Sequence, residues 1–434
     1  MSRTIVIDHL ARVEGHGGVT VELDGNAIRN VRFDIFEGAR LLEKAVRGRG
    51  FADVSPVASR ICAICSVAHS LTSLKATEQA FGVTLSSQTE LLRELLYRGE
   101  NIESHALHLF FLAVPDYLNL PSAVALAASN PEAVMLGLRL KKLGNTIQEV
   151  IGGRAVHPVN AIPGGFGRLP TEDDLITLRQ ALLQGMTDSE AAIDLVASLP
   201  PTEFCAAETS LAALVSPADY GYYAGDEVVV MDGGTRKRFP AAGYRSFTNE
   251  QAVAHSHAKH SSLDGTPFMV GALARVAVRQ ESLPARGVAA IRKLGLCLPS
   301  GNPMDNNKAQ AVELAVDIEL ALDAVDRLIR KGLRPERPAP VQPRAGTGTA
   351  VTEAPRGLLV HSYQYDGDGR LVSADVITPT GMNAATVENH LRRTAEQNPE
   401  SAETALRAKL EMVVRAYDPC ISCAVHLVHK RHGD

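Results

Sequence analysis

Four of the six cysteines form two Cys-x-x-Cys pairs, Cys62 with Cys65 and Cys420 with Cys423, and residues 65 and 420 lie 355 positions apart. One such pair brings two thiolates within reach of one ion, and two pairs make a four-sulfur set suited to soft or borderline metals. A structural zinc would also accept four thiolates, but its pairs usually lie within a few tens of residues of each other. Each pair here has a histidine beside it: His69 follows Cys65 by about one helical turn, and His426 closely follows Cys423. Such neighbours orient and tune metal ligands. Cys205 and Cys297 stand alone, as small buried apolar residues often do, and six cysteines are too few for a disulfide scaffold.

Elements from both ends of the chain must carry these pairs. The N-terminal runs TIVID and VTVELDGNAIRNVRFDIF alternate apolar and polar residues, with Asp24-Gly25-Asn26 between two arms, which predicts a β-hairpin. From Ala39 to about Leu199 apolar residues recur at three- and four-residue spacing, so the middle of the chain reads as helices. Residues 152–170 form a Gly/Pro-rich loop matching neither a Walker A nor a dinucleotide-binding pattern. Short strands are expected in 220–248, a long helix from about Asn307 to Leu333, and a linker from Arg334 to Ala350. A second hairpin, turning at DGDG, and two helical stretches lead to the last cysteines. The fold class is α+β and predominantly helical, and without internal repeats the site must join distant parts of one chain.

With 434 residues, 45% apolar and 21% charged, the chain is that of a folded protein. A net charge of −5 without a basic segment argues against nucleic acid as a partner. The N-terminus lacks the pattern of a signal peptide and no run is long enough to span a membrane, so a cytoplasmic location is expected.

The segments RICAICSVAHS and DPCISCAVH resemble the large, catalytic subunit of nickel-iron hydrogenases. Further motifs of that family follow in order: RVEGH (Arg12–His16), EGARLLEKAVRGR around Glu43, ESHALHLFFLAVPDYL (Glu103–Leu118), EAPRG (Glu353–Gly357) and ITPTGMN from Ile377. The resemblance covers essentially the whole chain and is greatest to the catalytic subunit of cytosolic, NAD(P)-linked sulfhydrogenases, through IDHLARVEGHGGV, AHSHAKHS, TPFMVGALARV and EMVVRAYDPCISC. Ala63 and Ser66 stand where many relatives have Gly and Pro.

The resemblance implies that Cys62, Cys65, Cys420 and Cys423 bind nickel, with Cys65 and Cys423 bridging to an iron that carries carbonyl and cyanide ligands. Thr378, Pro379 and Thr380 would line the pocket of those diatomic ligands, and His69 would hydrogen-bond a bridging sulfur. Cys420 would take the proton of H2 and pass it to Glu14, while Arg356, flanked by Asp116 and Asp418, would overhang the vacant metal position. Glu43, the backbone of Val376 and His426 would form a second, closed site for Mg or Fe. Taken singly, each of these charged residues reads first as a surface or buried ion pair. His105 and His108 read as packing or partner contacts; the histidines of HSHAKH (His255, His257, His260) could bind metal by composition, but the segment resembles one that carries no metal in the family and reads as solvated or hydrogen-bonded.

A family of this kind implies residues 1–426 as one unit, with 427–434 removed by a maturation protease after nickel-insertion chaperones have acted. Two spare cysteines cannot ligate a four-thiolate iron-sulfur cluster, and no flavin or nicotinamide site is visible. An iron-sulfur small subunit is therefore an expected partner, and the resemblance adds flavin- and NAD(P)-binding subunits. Two other readings remain: a non-catalytic relative in a proton pump or assembly, and a zinc-stapled structural protein.

Overall fold

The computed structural model describes residues 2–425 apart from 26, 40 and 217–219. The alternating N-terminal runs form an antiparallel sheet of β1 (Ser2–Ile7), β2 (Gly17–Asp24) and β3 (Ala27–Ile35), in that order. The expected hairpin is β2–β3, and the TIVID run adds a third strand to it, Ile5 facing Val21. Ile5, Val21, Phe33 and Ile35 all point into the main core.

The helical middle supplies α1 (Ser66–Phe81), α2 (Ser87–Leu107), α3 (Pro131–Gly152) and α4 (Glu172–Ala197), and α5 (Asp305–Lys331) joins them later in the chain. Helices α2, α3, α4 and α5 pack pairwise into a four-helix bundle. Their starts carry side-chain caps: the Ser86 hydroxyl accepts from Thr89 N at 3.0 Å, Asn130 accepts from Ala133 N at 3.1 Å, and Thr171 with Asp174 closes a capping box. Each cap satisfies amides that a helix start leaves unpaired. Beyond α2 the chain widens into a π-turn at His108–Ala113, just ahead of Pro115, a residue with no amide to continue an α ladder.

Strands of 220–248 appear as expected and belong to a four-stranded sheet that also contains two strands the sequence reading passed over. It comprises β4 (Ser210–Val215), β5 (Glu227–Asp232), β6 (Thr235–Pro240) and β7 (Phe268–Met269), ordered β6-β5-β4-β7. The segment read as a linker is also structured. Ala339 N donates to Gly164 O at 2.9 Å, and from Gly346 the chain enters β8 (Gly346–Ala354), which pairs with β9 (Gly357–Tyr365) and then β10 (Leu371–Ile377). Prolines made the stretch look like a spacer, yet they hold an extended chain against the body of the fold. Helix α1 lies across β8 and β9. A Cβ at Gly348 would sit 1.9 Å from the carbonyl oxygen of Ala76, so only glycine admits that approach. The two final helices are α6 (Pro379–Gln397) and α7 (Glu403–Ala416), followed by one short turn, α8 (Ile421–Ala424).

One apolar core runs from Ile5 to Ala424 and includes all four paired cysteines. Several charges are buried with it, notably Arg93 with Glu78, Arg98 with Asp317, and Arg275 with Glu313 and Glu353. No helix among the described residues is long and apolar enough to cross a membrane.

Candidate metal centre

The two cysteine pairs sit at two helix starts. Cys62 follows a short helical turn and Cys65 occupies the N-cap of α1, while Cys420 is the N-cap of α8 and Cys423 lies within it. A three-residue spacing across a first turn aims both sulfurs of a pair to one side. The four sulfur atoms then meet: Cys62 and Cys420 Sγ are 3.2 Å apart, Cys65 and Cys423 3.6 Å, and Cys420 and Cys423 2.7 Å. All four residues are buried and none forms a disulfide.

This packing has an electrostatic consequence. Hydrogen bonds from the thiols of Cys420, then Cys423 and Cys65, with the charge of Arg356 behind them, hold the Cys62 thiol well below its ordinary pKa. Burial drives Cys420 and Cys423 well above theirs. On its own the pocket favours a single shared thiolate, and a cation is what allows more than one buried sulfur to ionise.

Glu14 lies against the second pair. Its carbonyl accepts from Ile421 N at 2.9 Å, and its carboxylate accepts from Ser422 N at 3.0 Å and from the Ser422 hydroxyl. Thr380 Oγ1, from the first turn of α6, accepts from Cys420 N at 2.9 Å. Pro379 opens that helix and Thr378 is its N-cap.

Arg356 occupies the two-residue turn between β8 and β9, where Ala354 pairs with Gly357. Gly357 has φ of +126°, and a Cβ there would lie 2.5 Å from Val270, so the turn requires glycine. The guanidinium is buried; Nε donates to Asp418 O at 2.7 Å and Nη2 to Asp418 Oδ1 at 2.9 Å. Asp418 reaches both donors from a left-handed conformation, φ +51°, which aspartate tolerates better than most residues. Asp116 does not form the other flank of Arg356 as expected. It pairs instead with Arg415 at 2.7 and 2.9 Å, and with Arg12, because the π-turn and Pro115 carry it toward α7 and the N-terminal loop.

His69 hydrogen-bonds through Nδ1 to His361 Nε2 at 3.1 Å rather than to a bridging sulfur, and His361 continues to the Tyr363 hydroxyl at 2.6 Å. Burial pushes His69 down to about 4 against the opposing charge of Cys62. Glu43 Oε1 accepts from Val376 N at 2.8 Å, so two members of the expected second site do meet. His426 and the extension 427–434 lie outside the described residues.

Sequence reasoning missed several residues. Glu100, on α2, accepts from the amides of Val67 and Ala68 at 2.6 and 2.9 Å and so caps α1 beside the first cysteine pair. Burial raises its carboxyl well above the usual range despite those bonds. Gln310 links Asp418 to His108, and His105 meets Glu313 at 2.8 Å. Both histidines are thus internal hydrogen-bonding groups. A glutamate at a helix position spaced for burial was the available signal for Glu100.

The residues present fit a soft metal centre. Besides four converging sulfurs, two buried polar atoms, Arg356 Nη1 and Thr378 Oγ1, have no hydrogen-bond partner among the described residues, and buried donors of that kind normally serve something.

Residues 40–136 and 212–426 match the nickel-dependent hydrogenase family, and residues 4–37 match a family described as HoxL-like. The chain is 39% identical to the sulfhydrogenase 1 subunit alpha of Pyrococcus furiosus over 98% of each chain. It is 36% identical to the sulfhydrogenase 2 subunit alpha of the same organism, covering 98% of this chain and 99% of that one. Its fold superposes on an NAD+-reducing [NiFe]-hydrogenase in the H2-reduced state with a TM-score of 0.89 and 28% identity, over 98% of this chain and 99% of the other. With these relatives, a chain whose two ends bring four buried cysteines into one cluster belongs to the nickel-dependent hydrogenase family.

Proposed function

We propose that this chain activates H2 in a heteromeric, bidirectional hydrogenase whose electrons pass through an iron-sulfur small subunit to NAD(P), or to sulfur or polysulfide. The observation that carries this reading is the placement of Glu14 on the same short turn that presents Cys420 and Cys423. When bound, a nickel-iron pair with carbonyl and cyanide ligands supplies a redox centre that polarises H2 so that it parts as hydride and proton.

The chain's own residues hold the metals and move the proton. All four cysteines would be the sulfur ligands, Cys65 and Cys423 being the two that would bridge the metals. Cys420 Sγ takes the proton and Glu14 receives it, since a carboxylate held by the Ser422 amide and hydroxyl keeps one fixed position for transfer. Arg356, anchored on Asp418, keeps Nη1 free, and its fixed positive charge would favour charge separation at a bound metal. Thr378 Oγ1, partnerless beside Pro379 and Thr380, would be the donor to the diatomic ligands. His69, held by His361, positions the first cysteine pair. Asp116 acts through Arg415 as a structural brace.

Glu43, the backbone of Val376 and His426 would hold Mg or Fe at a second site, and hard carboxylate oxygen suits Mg. Residues 427–434 are removed after nickel insertion; intact mass of active protein should end at His426. The names of relatives, sulfhydrogenase subunits and an NAD+-reducing enzyme, support the acceptor and the multisubunit setting.

The test is to isolate the native complex, measure nickel, iron and zinc, and assay H2-dependent reduction of NAD+, NADP+ and polysulfide separately. Nickel and iron with reduction of a nicotinamide support the reading. Zinc alone in the four-sulfur site, without H2 uptake, defeats it.

A further inference from the structure

A second group of metal-ligating side chains lies outside the sulfur cluster, at His255, His260 and Glu388. One ligand atom from each falls within 4.8 Å of the others. Three separate segments build the group. Glu388 projects from α6, both histidines come from the loop that follows β6, and Phe33 N of β3 donates to Glu388 Oε1 at 2.8 Å, fixing the carboxylate. His255 Nε2 stands 2.7 Å from Glu388 Oε1, and His260 Nδ1 stands 4.0 Å from Oε2. The second distance exceeds a hydrogen bond. Two ligands of one zinc ion, each bound at about 2.0–2.2 Å, can lie up to about 4.3 Å apart, so an ion fits between His260 and the carboxylate where a direct bond does not.

The His260 backbone is pinned in both directions to Gln251, at 2.8 and 2.9 Å, and its ring meets that of His255 edge-on, centroids 5.7 Å apart. Its Nε2 is buried with no hydrogen-bond partner among the described residues, which leaves the ring incompletely satisfied by protein alone. Lys259, the adjacent cation, is engaged with Glu250 at 2.8 Å. The three ligand side chains keep exposures of 24%, 14% and 18%, so water can complete the coordination sphere.

We propose that His255, His260 and Glu388 bind one divalent cation of the zinc class. Two neutral imidazoles and one carboxylate form a set well known for such ions when a coordination position stays open to solvent. The ion braces the loop that carries it, and Ala258 of that loop pairs with Val425, two residues beyond Cys423. The site therefore supports the segment that delivers the second cysteine pair.

The experiment uses the mature nickel-loaded protein, so that the sulfur cluster is already filled. Protein is dialysed against micromolar Zn2+, passed through a desalting column, and its zinc and nickel measured by mass spectrometry. Wild type should retain one zinc per chain, whereas Glu388→Gln and His255→Gln should bind at least tenfold more weakly with nickel unchanged. His257→Gln should behave as wild type, since His257 bonds the Glu37 carbonyl instead. If Glu388→Gln fails to fold, His255→Gln decides, as its side chain is the most exposed of the three. Wild type without retained zinc, or equal zinc in wild type and His255→Gln, overturns the proposal. Anomalous scattering at the zinc edge must place the ion between these three residues, and density elsewhere also overturns it.

Discussion

Glu14 and Ser422 are joined by two hydrogen bonds, one from the Ser422 amide at 3.0 Å and one from its hydroxyl, both to the Glu14 carboxylate. Residues 408 positions apart in sequence therefore meet at the turn between the paired cysteines. Glutamine keeps a carbonyl oxygen for one of these bonds but cannot carry a proton. Glu14→Gln should retain nickel and iron while H2 oxidation and H/D exchange fall about 10²–10⁴-fold, the range of a positioned acid or base. Loss of metal in this variant would assign Glu14 to structure instead.

Each sulfur contributes to one shared ligand set, so the four should be lost together. Cys420→Ser is expected to carry less than a tenth of wild-type nickel and no measurable activity, because a hydroxyl is a poor partner for a soft metal. Metal analysis beside the activity assay checks this; a nickel-loaded, active serine variant would sink the ligand assignment.

Arg356 uses two of its nitrogens to grip Asp418 and leaves Nη1 free. A lysine ammonium cannot do both from one fork. Arg356→Lys should keep its metals and lose at least tenfold in turnover. Wild-type turnover would reduce Arg356 to an ion pair.

Arg275 is fully buried against Glu313, with bonds of 2.7 Å from two nitrogens, and against Glu353 at 3.1 Å. Removing the cation leaves two carboxylates without it. Arg275→Met should destabilise the nickel-free chain by about 3–5 kcal/mol, read from the urea midpoint.

Burial pushes His69 down to about 4 from an ordinary 6.5. Its folded-state pKa lies below the unfolded one, so between these values the unfolded chain binds the extra proton. The stability contributed by the neutral ring is present above pH 6.5 and is lost as pH falls toward 4, by about 3 kcal/mol at 1.36 kcal/mol per unit. Urea titrations of nickel-free protein across that window should show a shallower acid decline in His69→Gln than in wild type; parallel curves would contradict it.

The features legible in sequence were those governed by local rules. Cys-x-x-Cys spacing, alternation in β2 and β3, the DGDG turn and the helical periodicity of α5 each follow from a few neighbouring residues. What stayed hidden depends on partners hundreds of positions away. Asp116 reads the same whether it faces Arg356 or Arg415, and only the π-turn before it decides. Buried charges on α2, such as Arg93 and Glu100, look like the wet face of an amphipathic helix until their partners are known. The extended stretch before β8 resembled a spacer because proline content says nothing about what lies alongside.

Half of the sulfur set comes from the first sixth of the chain and the other half from its last fifteen residues. A ribosome makes those halves at opposite ends of its work, and domains begin folding while synthesis continues. The bundle and sheets can be in place before Cys420 leaves the exit tunnel, so the pocket exists for a time with only one of its walls. Any chain that stops before Cys420 lacks both later sulfurs. Synthesis through Cys423 is thus a condition for a complete sulfur set, and a product ended before it should be inert toward H2 rather than partly active.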